Sequence, residues 1–238
     1  METVEDRFAD DKQKWVYVCP KNQTPFIKIV QNNEKRKTYR FFKRLFDIVI
    51  SVLALLVLWP FFLLIALCIK LEDGGKVFYI HERLGWHGKK IRIYKFRSMR
   101  PGSEKLENVL SKEQLEFYKL EFKIDDDPRV TKVGRFLRKV SLDELPQFFN
   151  IIKGDLSIVG PRPIVKEELQ RYGKAKDFLL SVKPGLTGYW QVYARNDVGY
   201  ENGKRQAMEI FYCENQGAWL DFKIVLKTFV AIIKKTGM

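Results

Sequence analysis

Two adjacent carboxylates stand in the segment of this chain whose residues are best suited to chemistry, Ser141-Leu-Asp-Glu-Leu-Pro146. Gly154-Asp155 and Gly160-Pro-Arg-Pro163 follow closely in the sequence. A carboxylate can attack phosphorus and form an acyl phosphate, and a second carboxylate can hold a magnesium ion that also binds substrate phosphates. Asp143 and Glu144 are therefore candidate catalytic residues and candidate magnesium ligands.

The same pair has an alternative, structural interpretation. Ser141 and Glu144 have the spacing of a capping box, in which a hydroxyl and a carboxylate satisfy backbone N–H groups at a helix N-terminus. If Pro146 instead occupies the first helical position, Asp143 and Glu144 lie just ahead of the helix. In both cases the carboxylates meet the positive end of a helix, which favours phosphate groups equally.

Basic side chains that could bind phosphate oxygens occur on both sides of this segment. Arginine is well suited because its planar fork can hold a phosphate through two hydrogen bonds. Arg162 is the best placed, because Pro161 and Pro163 restrict the backbone on both sides of it. The further candidates are Lys95, Arg97, Arg135, Arg138, Lys139 and Arg195. A solvated surface charge is the alternative for each, and Asp221 could be a ligand or a helix cap.

Composition restricts the classes of function. The 238 residues carry a formal net charge of +14, which indicates an anionic partner such as nucleic acid, anionic lipid or a phosphorylated substrate. The sequence contains no GxxxxGK[ST] phosphate-binding loop. Cys19, Cys68 and Cys213 are too far apart in the sequence to indicate a zinc or disulfide framework. The two histidines, His81 and His87, are expected at the surface.

One uncharged run, Ile48–Ile69, is long enough as a helix to cross a hydrocarbon core of about 30 Å. Pro60 near its middle removes a backbone donor and clashes with the preceding turn. Lysine and arginine flank the run on both sides, whereas a spanning helix concentrates them on the cytoplasmic side. The pattern predicts a re-entrant helix hairpin broken at Trp59-Pro60, with a plain transmembrane helix as the alternative.

The rest of the chain predicts an α/β but mainly helical architecture. Alternating apolar and polar residues predict a small β-hairpin over 76–83 and 90–97. Helices are predicted over residues 131–138, 145–152, 166–182 and 220–235. The last of these is amphipathic, as interfacial helices are.

The predicted organisation has three parts. Residues 1–39 form a short N-terminal extension, and residues 40–72 form the re-entrant membrane helix. Residues 73–238 form one compact cytoplasmic catalytic domain, surrounded by amphipathic interfacial helices. The polar, acidic N-terminus is unlike a secretory signal.

Long motifs in a fixed order closely resemble the bacterial sugar transferase family. They are KRLFD (43–47), the apolar run with its central Pro60, IYKFRSM (93–99), residues 127–163, KPGLTGYWQV (183–192) and LDFKI (220–224). The similarity covers about residues 40–236. The chain is identified on this basis as a member of that family, which comprises monotopic polyprenyl-phosphate phosphoglycosyl transferases. The short extension indicates the minimal catalytic form.

The resemblance implies a reaction and a site. A sugar-1-phosphate would pass from a UDP-sugar to undecaprenyl phosphate with release of UMP, using Mg²⁺, at the start of exopolysaccharide, capsule or other glycan synthesis. Asp143 would be the nucleophile that forms a covalent phospho-sugar intermediate, and Glu144 would assist through metal or proton handling. Residues matching positions that bind phosphate or support the site are Lys95, Arg138, Arg162 and Asp221.

The resemblance also implies partners and a location. The enzyme would lie in the inner membrane of a bacterium with its catalytic domain in the cytoplasm, binding the bilayer but no nucleic acid; a homodimer is left open. Glucose or galactose is the expected sugar, followed by an N-acetylated sugar. Trp59, Ala194 and Glu209 differ from the residues common in relatives. A basic membrane-attached protein that binds nucleic acid or anionic lipid is the alternative function.

Overall fold

The computed structural model describes residues 33–233, except for 104, 105, 107, 108, 123, 125, 126, 195–199, 201 and 202. Most of the predicted extension over residues 1–39 lies outside the described part of the chain. Among the described residues, the long elements of the first half are α1 (Asn33–Asp73), β1 (Phe78–Leu84), β2 (Lys90–Phe96), α2 (Lys112–Glu121) and α3 (Lys132–Lys139). The second half contains α4 (Gln147–Lys153), β3 (Ser157–Val159), α5 (Lys166–Leu169), α6 (Lys176–Leu180), β4 (Gly185–Thr187), α7 (Tyr189–Tyr193), α8 (Lys204–Asn215) and α9 (Ala218–Ile233). The chain is therefore mainly helical, as predicted.

Helix α1 carries the apolar run and begins earlier than the predicted start at residue 40. Its helical conformation continues through Trp59 and Pro60, so the predicted break and hairpin are not confirmed. Within the described residues, Lys37–Asp73 is the one helix long and apolar enough to cross a membrane. Only 11% of its most apolar window is buried, and large side chains such as Leu56 and Trp59 are exposed. An exposed apolar helix of this length indicates association with a membrane.

The N-terminal half of α1 is bonded to the compact part of the chain. The guanidinium of Arg44 donates to the carbonyl oxygens of Ile151 and Ile152 at 2.5 and 2.7 Å. The buried carboxylate of Asp47 accepts the backbone N–H of Ile158 at 2.9 Å. The bonds from Arg44 hold the last turn of α4 against α1, and the bond to Asp47 holds β3 against the same helix.

The C-terminal half of α1 is bonded to the same compact part. Ile65 and Ile69 are buried in an apolar cluster that includes Phe96 of β2. The carboxylate of Glu72 accepts the backbone N–H of Val133 in the first turn of α3 at 3.1 Å. Both halves of the apolar helix therefore contact the domain that carries the hairpin.

The predicted β-hairpin is confirmed. Strands β1 and β2 are antiparallel, and residues 79, 81 and 83 lie opposite residues 95, 93 and 91. Directly opposite residues of an antiparallel pair point to the same face of the sheet. One face of the hairpin therefore carries His81, Arg83 and Lys95 together.

The segment from α3 to α4 positions the two adjacent carboxylates. Thr131 caps α3 by accepting the N–H of Gly134 at 2.9 Å. Ser141 adopts a left-handed conformation, with φ of 57°, and starts a short 3-10 helix over Leu142–Glu144. The side chain of Ser141 makes no capping hydrogen bond, so the predicted capping box does not form. Pro146 stands immediately before α4, where its fixed φ is compatible with helix entry.

A second, parallel pair of short strands, β3 and β4, was not predicted. It holds the Gly160–Pro163 turn against the chain over residues 183–188. A Cβ on Gly160 would lie only 2.4 Å from the carbonyl oxygen of Lys183, so the close approach requires glycine. The single helix predicted over 166–182 is wrong. This stretch forms α5, a 3-10 segment and α6, because Gly173 interrupts the helical conformation with φ of 49°.

Candidate active site

An open cleft lies between the hairpin, the 3-10 helix, the Gly160–Pro163 turn and β4. We call it the cationic cleft, because its charged lining residues are Arg83, Lys95 and Arg162 against one carboxylate, Glu144. His81, Gln147 and Gln191 add polar groups to its wall. An excess of positive charge in a concave site attracts anions such as phosphates.

The 3-10 helix places Glu144 at this cleft, and Asp143 precedes it in the same helix. Glu144 accepts a hydrogen bond from the ammonium of Lys95 at 2.6 Å, and both side chains are mostly buried. Asp143, the preceding residue, is buried with 8% of its surface exposed. The structure therefore brings together Glu144 and Lys95 of the predicted site residues, whereas the adjacent Asp143 is buried and is not one of the residues that line the cleft.

Arg138 adds a half-buried cation from the last turn of α3. Its Nε atom donates to the hydroxyl of Ser98 at 2.9 Å. Burial lowers the pKa of Arg138, and the negative charges of Asp143 and Asp127 oppose that effect. The guanidinium is thus close enough to Asp143 for their charges to interact.

The Gly160–Pro163 turn presents Arg162 to the cleft. The backbone N–H of Arg162 donates to both carboxylate oxygens of Glu209, at 3.1 and 3.3 Å. The N–H of Gly185 donates to the carbonyl of Pro161 at 2.9 Å. Glu209 is buried on α8, and this burial raises its pKa to about 7, although the charge of Arg205 acts in the opposite direction. The turn is therefore held from behind by a buried carboxylate.

Arg97, a predicted phosphate ligand, is bonded to other groups of the chain. The guanidinium of Arg97 is bonded to the carboxylate of Asp73 and donates to the carbonyl oxygens of Lys76 and Met99. It joins the hairpin to the end of α1, so the prediction of Arg97 as a phosphate ligand is not supported. Its donors are satisfied within the chain, which removes the need for a phosphate partner.

Asp221 also lies away from the cleft. Its carboxylate accepts the hydroxyls of Tyr39 at 2.7 Å and Tyr212 at 2.8 Å, and it forms an ion pair with Lys43. It therefore fixes the first half of α1 to α9 and neither caps a helix nor lines the cleft. Arg195 lies outside the described residues, whereas Arg135 and Lys139 are exposed on α3.

The sequence interpretation missed His81 and Arg83. Both line the cleft, although His81 was expected at the surface. Arg83 donates to the buried carboxylate of Glu168 at 2.7 Å. Burial alone would raise the pKa of Glu168, but Arg83 and Arg205 outweigh it and the pKa is lowered. Strand alternation could have found both residues, because they share a hairpin face with Lys95.

The carboxylate pair fits a magnesium ion by the type of its donors. Magnesium is commonly held by one or two carboxylates together with substrate phosphates and water. Glu144 supplies one such carboxylate at the cleft, and Asp143 supplies a second, buried one next to it in the 3-10 helix. Over the described part of the chain, no group of three or more histidine, cysteine, aspartate or glutamate side chains forms a closed metal cage.

The fold and the cleft define a class: a chain with a long, exposed apolar helix and a mainly helical domain whose adjacent carboxylates lie near clustered cations. The family described as bacterial sugar transferase matches residues 38–235. The chain belongs to the bacterial sugar transferase family, and it is thereby a transferase.

Similar proteins carry more specific names. The chain is 46% identical over 212 residues to undecaprenyl-phosphate galactose phosphotransferase of Salmonella typhimurium, covering 87% of this chain and 44% of that protein. It is 45% identical to the exopolysaccharide production protein ExoY of Sinorhizobium fredii, covering 82% of this chain and 87% of that one. It is 36% identical to an Aeromonas hydrophila enzyme named UDP-N-acetylgalactosamine-undecaprenyl-phosphate N-acetylgalactosaminephosphotransferase, covering 84% and 45%. The chain thus spans less than half the length of the Salmonella and Aeromonas relatives.

Proposed function

We propose that this chain transfers a sugar-1-phosphate from a UDP-sugar to undecaprenyl phosphate, releases UMP, and so begins the synthesis of an exopolysaccharide, capsule or related glycan. The observation that carries the proposal is a cleft lined by Arg83, Lys95 and Arg162, with Glu144 in its wall and Asp143 adjacent in the same 3-10 helix. The names of the Salmonella and Aeromonas relatives support both substrates. Those two names favour galactose or N-acetylgalactosamine as the sugar.

The reaction proceeds in two displacements. In the first, a carboxylate oxygen of Asp143 attacks the β-phosphorus of the UDP-sugar, and the bond from that phosphorus to the bridging oxygen breaks. UMP leaves with that oxygen, and the sugar phosphate stays on Asp143 as an acyl phosphate. In the second, a phosphate oxygen of undecaprenyl phosphate attacks the same phosphorus. The bond to Asp143 breaks, the free carboxylate returns, and the lipid carries a diphosphate sugar.

The cations have distinct tasks in these displacements. Arg162, held by Glu209 behind its turn, is positioned to bind an oxygen of the donor diphosphate. Lys95 offsets the charge of Glu144, so that an anionic substrate can enter beside two carboxylates. Arg138 offers positive charge next to Asp143. Fixed charges of this kind stabilise the charge that develops during phosphoryl transfer.

Asp143 and Glu144 would hold Mg²⁺ in this proposal. When bound, magnesium supplies positive charge that neutralises phosphate oxygens. Glu144 is the better placed of the two to support such an ion continuously, because Asp143 is consumed and restored in each cycle. Its hydrogen bond with Lys95 fixes the orientation of one carboxylate oxygen.

The membrane arrangement is part of the proposal. Both halves of α1 are bonded to the same domain, through Arg44 and Asp47 on one side and Glu72 and Asp73 on the other. A domain on one side of a bilayer can hold both ends of an apolar helix only if both ends return to that side. This supports a re-entrant α1 with the catalytic domain at the cytoplasmic face of the bacterial inner membrane, where the lipid phosphate lies.

The test is a UMP-release assay with purified protein, undecaprenyl phosphate and Mg²⁺, screened over UDP-galactose, UDP-glucose and UDP-N-acetylgalactosamine. One donor should give UMP that depends on lipid and metal. Asp143→Asn should reduce turnover by at least about 10³-fold and remove the covalent sugar phosphate detected by mass spectrometry, because the amide cannot serve as the nucleophile.

Arg135→Gln is the matched control, because Arg135 is exposed on α3 and should retain activity. Wild-type turnover in the Asp143→Asn variant would contradict the nucleophile assignment. No UMP from any UDP-sugar, with lipid and metal present, would contradict the proposed reaction.

A further inference from the structure

His81 is held in one tautomer by its neighbour on the same strand. Its Nδ1 atom lies 3.3 Å from Nη2 of Arg83. A guanidinium only donates hydrogen bonds, so Nδ1 must be the acceptor and cannot carry a proton. A neutral imidazole with Nδ1 unprotonated carries its proton on Nε2. The contact therefore fixes His81 as an Nε2–H donor on the wall of the cationic cleft.

The surroundings keep this ring uncharged. Burial lowers the pKa of His81 to about 4, and the charges of Arg83 on β1, Lys95 on β2 and Arg162 on the Gly160–Pro163 turn act in the same direction. Glu168 on α5 acts in the opposite direction and is outweighed. The edge of the Tyr79 ring packs on the imidazole at 5.8 Å between centroids. The imidazole of His81 is thus an uncharged donor beside the three cations of the cleft.

This division of charge matches the chemistry of a nucleotide sugar. The diphosphate needs cations, whereas sugar hydroxyls and uracil carbonyls are uncharged acceptors that a neutral donor can serve. No further hydrogen bond of the His81 ring occurs within the described part of the chain, so Nε2–H is available to a ligand.

We propose, resting on the proposed function, that Nε2–H of His81 donates a hydrogen bond to an uncharged oxygen of the UDP-sugar and thereby contributes to donor recognition. The acceptor is a sugar hydroxyl or a uracil carbonyl, and these two sources share the same chemistry. A site that satisfies such an oxygen discriminates against donors in which it is absent or misplaced.

Two substitutions separate the neutral donor from the ring itself. His81→Gln keeps an uncharged N–H donor, and His81→Phe keeps an aromatic ring but removes both nitrogens. Binding would be measured by titration calorimetry in the Asp143→Asn background, which prevents turnover. The ligands are UDP-galactose or the donor found active, UDP, and inorganic pyrophosphate.

We expect His81→Phe to bind the UDP-sugar about 3- to 10-fold more weakly, the loss typical of one neutral hydrogen bond, and His81→Gln to bind it nearly as tightly as the His81 parent. Pyrophosphate binding should be equal in all three proteins. If His81 contacts the sugar, UDP binding is unchanged in His81→Phe; if it contacts uracil, UDP binding weakens equally.

Other outcomes overturn the inference. They are equal UDP-sugar binding by His81→Phe and the His81 parent, equal weakening in His81→Gln and His81→Phe, or a loss of pyrophosphate binding as large as that of the UDP-sugar. A ¹⁵N NMR spectrum showing the proton on Nδ1, or a charged ring at pH 7, would also overturn it without touching the proposed reaction. Absence of UDP-sugar binding with His81 intact would instead refute the proposed function and this inference with it.

Discussion

Glu209 shows how a single buried residue serves the cleft without lining it. Its carboxylate accepts the N–H of Arg162 and has 2% of its surface exposed. Burial raises its pKa from the usual 4.5 to about 7. At pH values between 4.5 and about 7, the carboxyl of Glu209 is ionised in the unfolded chain but still protonated in the folded chain. The contribution of Glu209 to stability must therefore fall as the pH rises through this range.

Glu209→Gln should remove this dependence, because the amide does not titrate and its oxygen can still accept the N–H of Arg162. The wild-type free energy of unfolding should contain a decline of about 1.4 kcal/mol per pH unit between pH 4.5 and 7 that the variant lacks. Urea denaturation at several pH values measures the difference. Glu167→Gln, at an exposed position on α5, should keep the wild-type dependence. Identical slopes for wild type and Glu209→Gln would exclude Glu209 as the source.

Residue types alone could not separate Arg97 from Lys95. Both are basic, both lie at the end of the hairpin, and both suit a phosphate ligand by type. Lys95 points to the cleft, whereas Arg97 is committed to Asp73, a residue 24 positions away in the sequence. Such a pairing depends on how α1 meets the hairpin. The partners of Asp221 could not be predicted for the same reason, because Tyr39 and Lys43 lie far from it in the sequence.

At the scale of elements, local patterns predicted the hairpin and the helices α3, α4 and α9. Each of these has a periodic signal within one short stretch of sequence. Strands β3 and β4 have three residues each and are far apart in the sequence. Their pairing depends on a close approach at Gly160 and Gly185, which no local periodicity reveals. The capping box failed because Ser141 takes a left-handed conformation to redirect the chain after α3.

The contact between α3 and the segment after β2 is tight enough to be tested. A Cβ on Gly134 would lie 2.1 Å from the carbonyl oxygen of Ser98. Gly134→Ala should therefore push α3 away and cost about 1–3 kcal/mol of stability, despite the better helix propensity of alanine. The hydroxyl of Ser98 also accepts a hydrogen bond from Arg138. Displacement of α3 should therefore disturb Arg138 and lower turnover as well. Chemical denaturation and the UMP-release assay measure the two effects.

Gly217→Ala is the matched control for this substitution. A Cβ on Gly217 would meet its nearest neighbour at 3.9 Å, which is ordinary contact, and its φ is not positive. This variant should remain within about 0.5 kcal/mol of the wild type, as surface substitutions commonly do. If Gly134→Ala were as stable and active as Gly217→Ala, the packing of α3 on Ser98 would not constrain the site.

For the whole molecule, the path of α1 connects the membrane to the chemistry. The lysine and arginine side chains that flank the apolar run lie on both sides of it, and the domain is bonded to both halves of the helix. A helix that crosses the bilayer would separate these two sets of contacts by the thickness of the hydrocarbon core, about 30 Å. We therefore expect both ends of α1 at one membrane surface, as the proposed re-entrant arrangement requires.

Cysteine labelling tests this arrangement directly. Lys37→Cys and Lys76→Cys place thiols at exposed positions before and after the apolar run. In intact bacteria neither thiol should react with a membrane-impermeant maleimide above the unsubstituted chain, whose native cysteines set the baseline. Both should react once the cells are permeabilised, which confirms that they are accessible. Reaction of only one thiol from outside would establish a spanning helix. The contacts of both halves of α1 with one domain could then not form together.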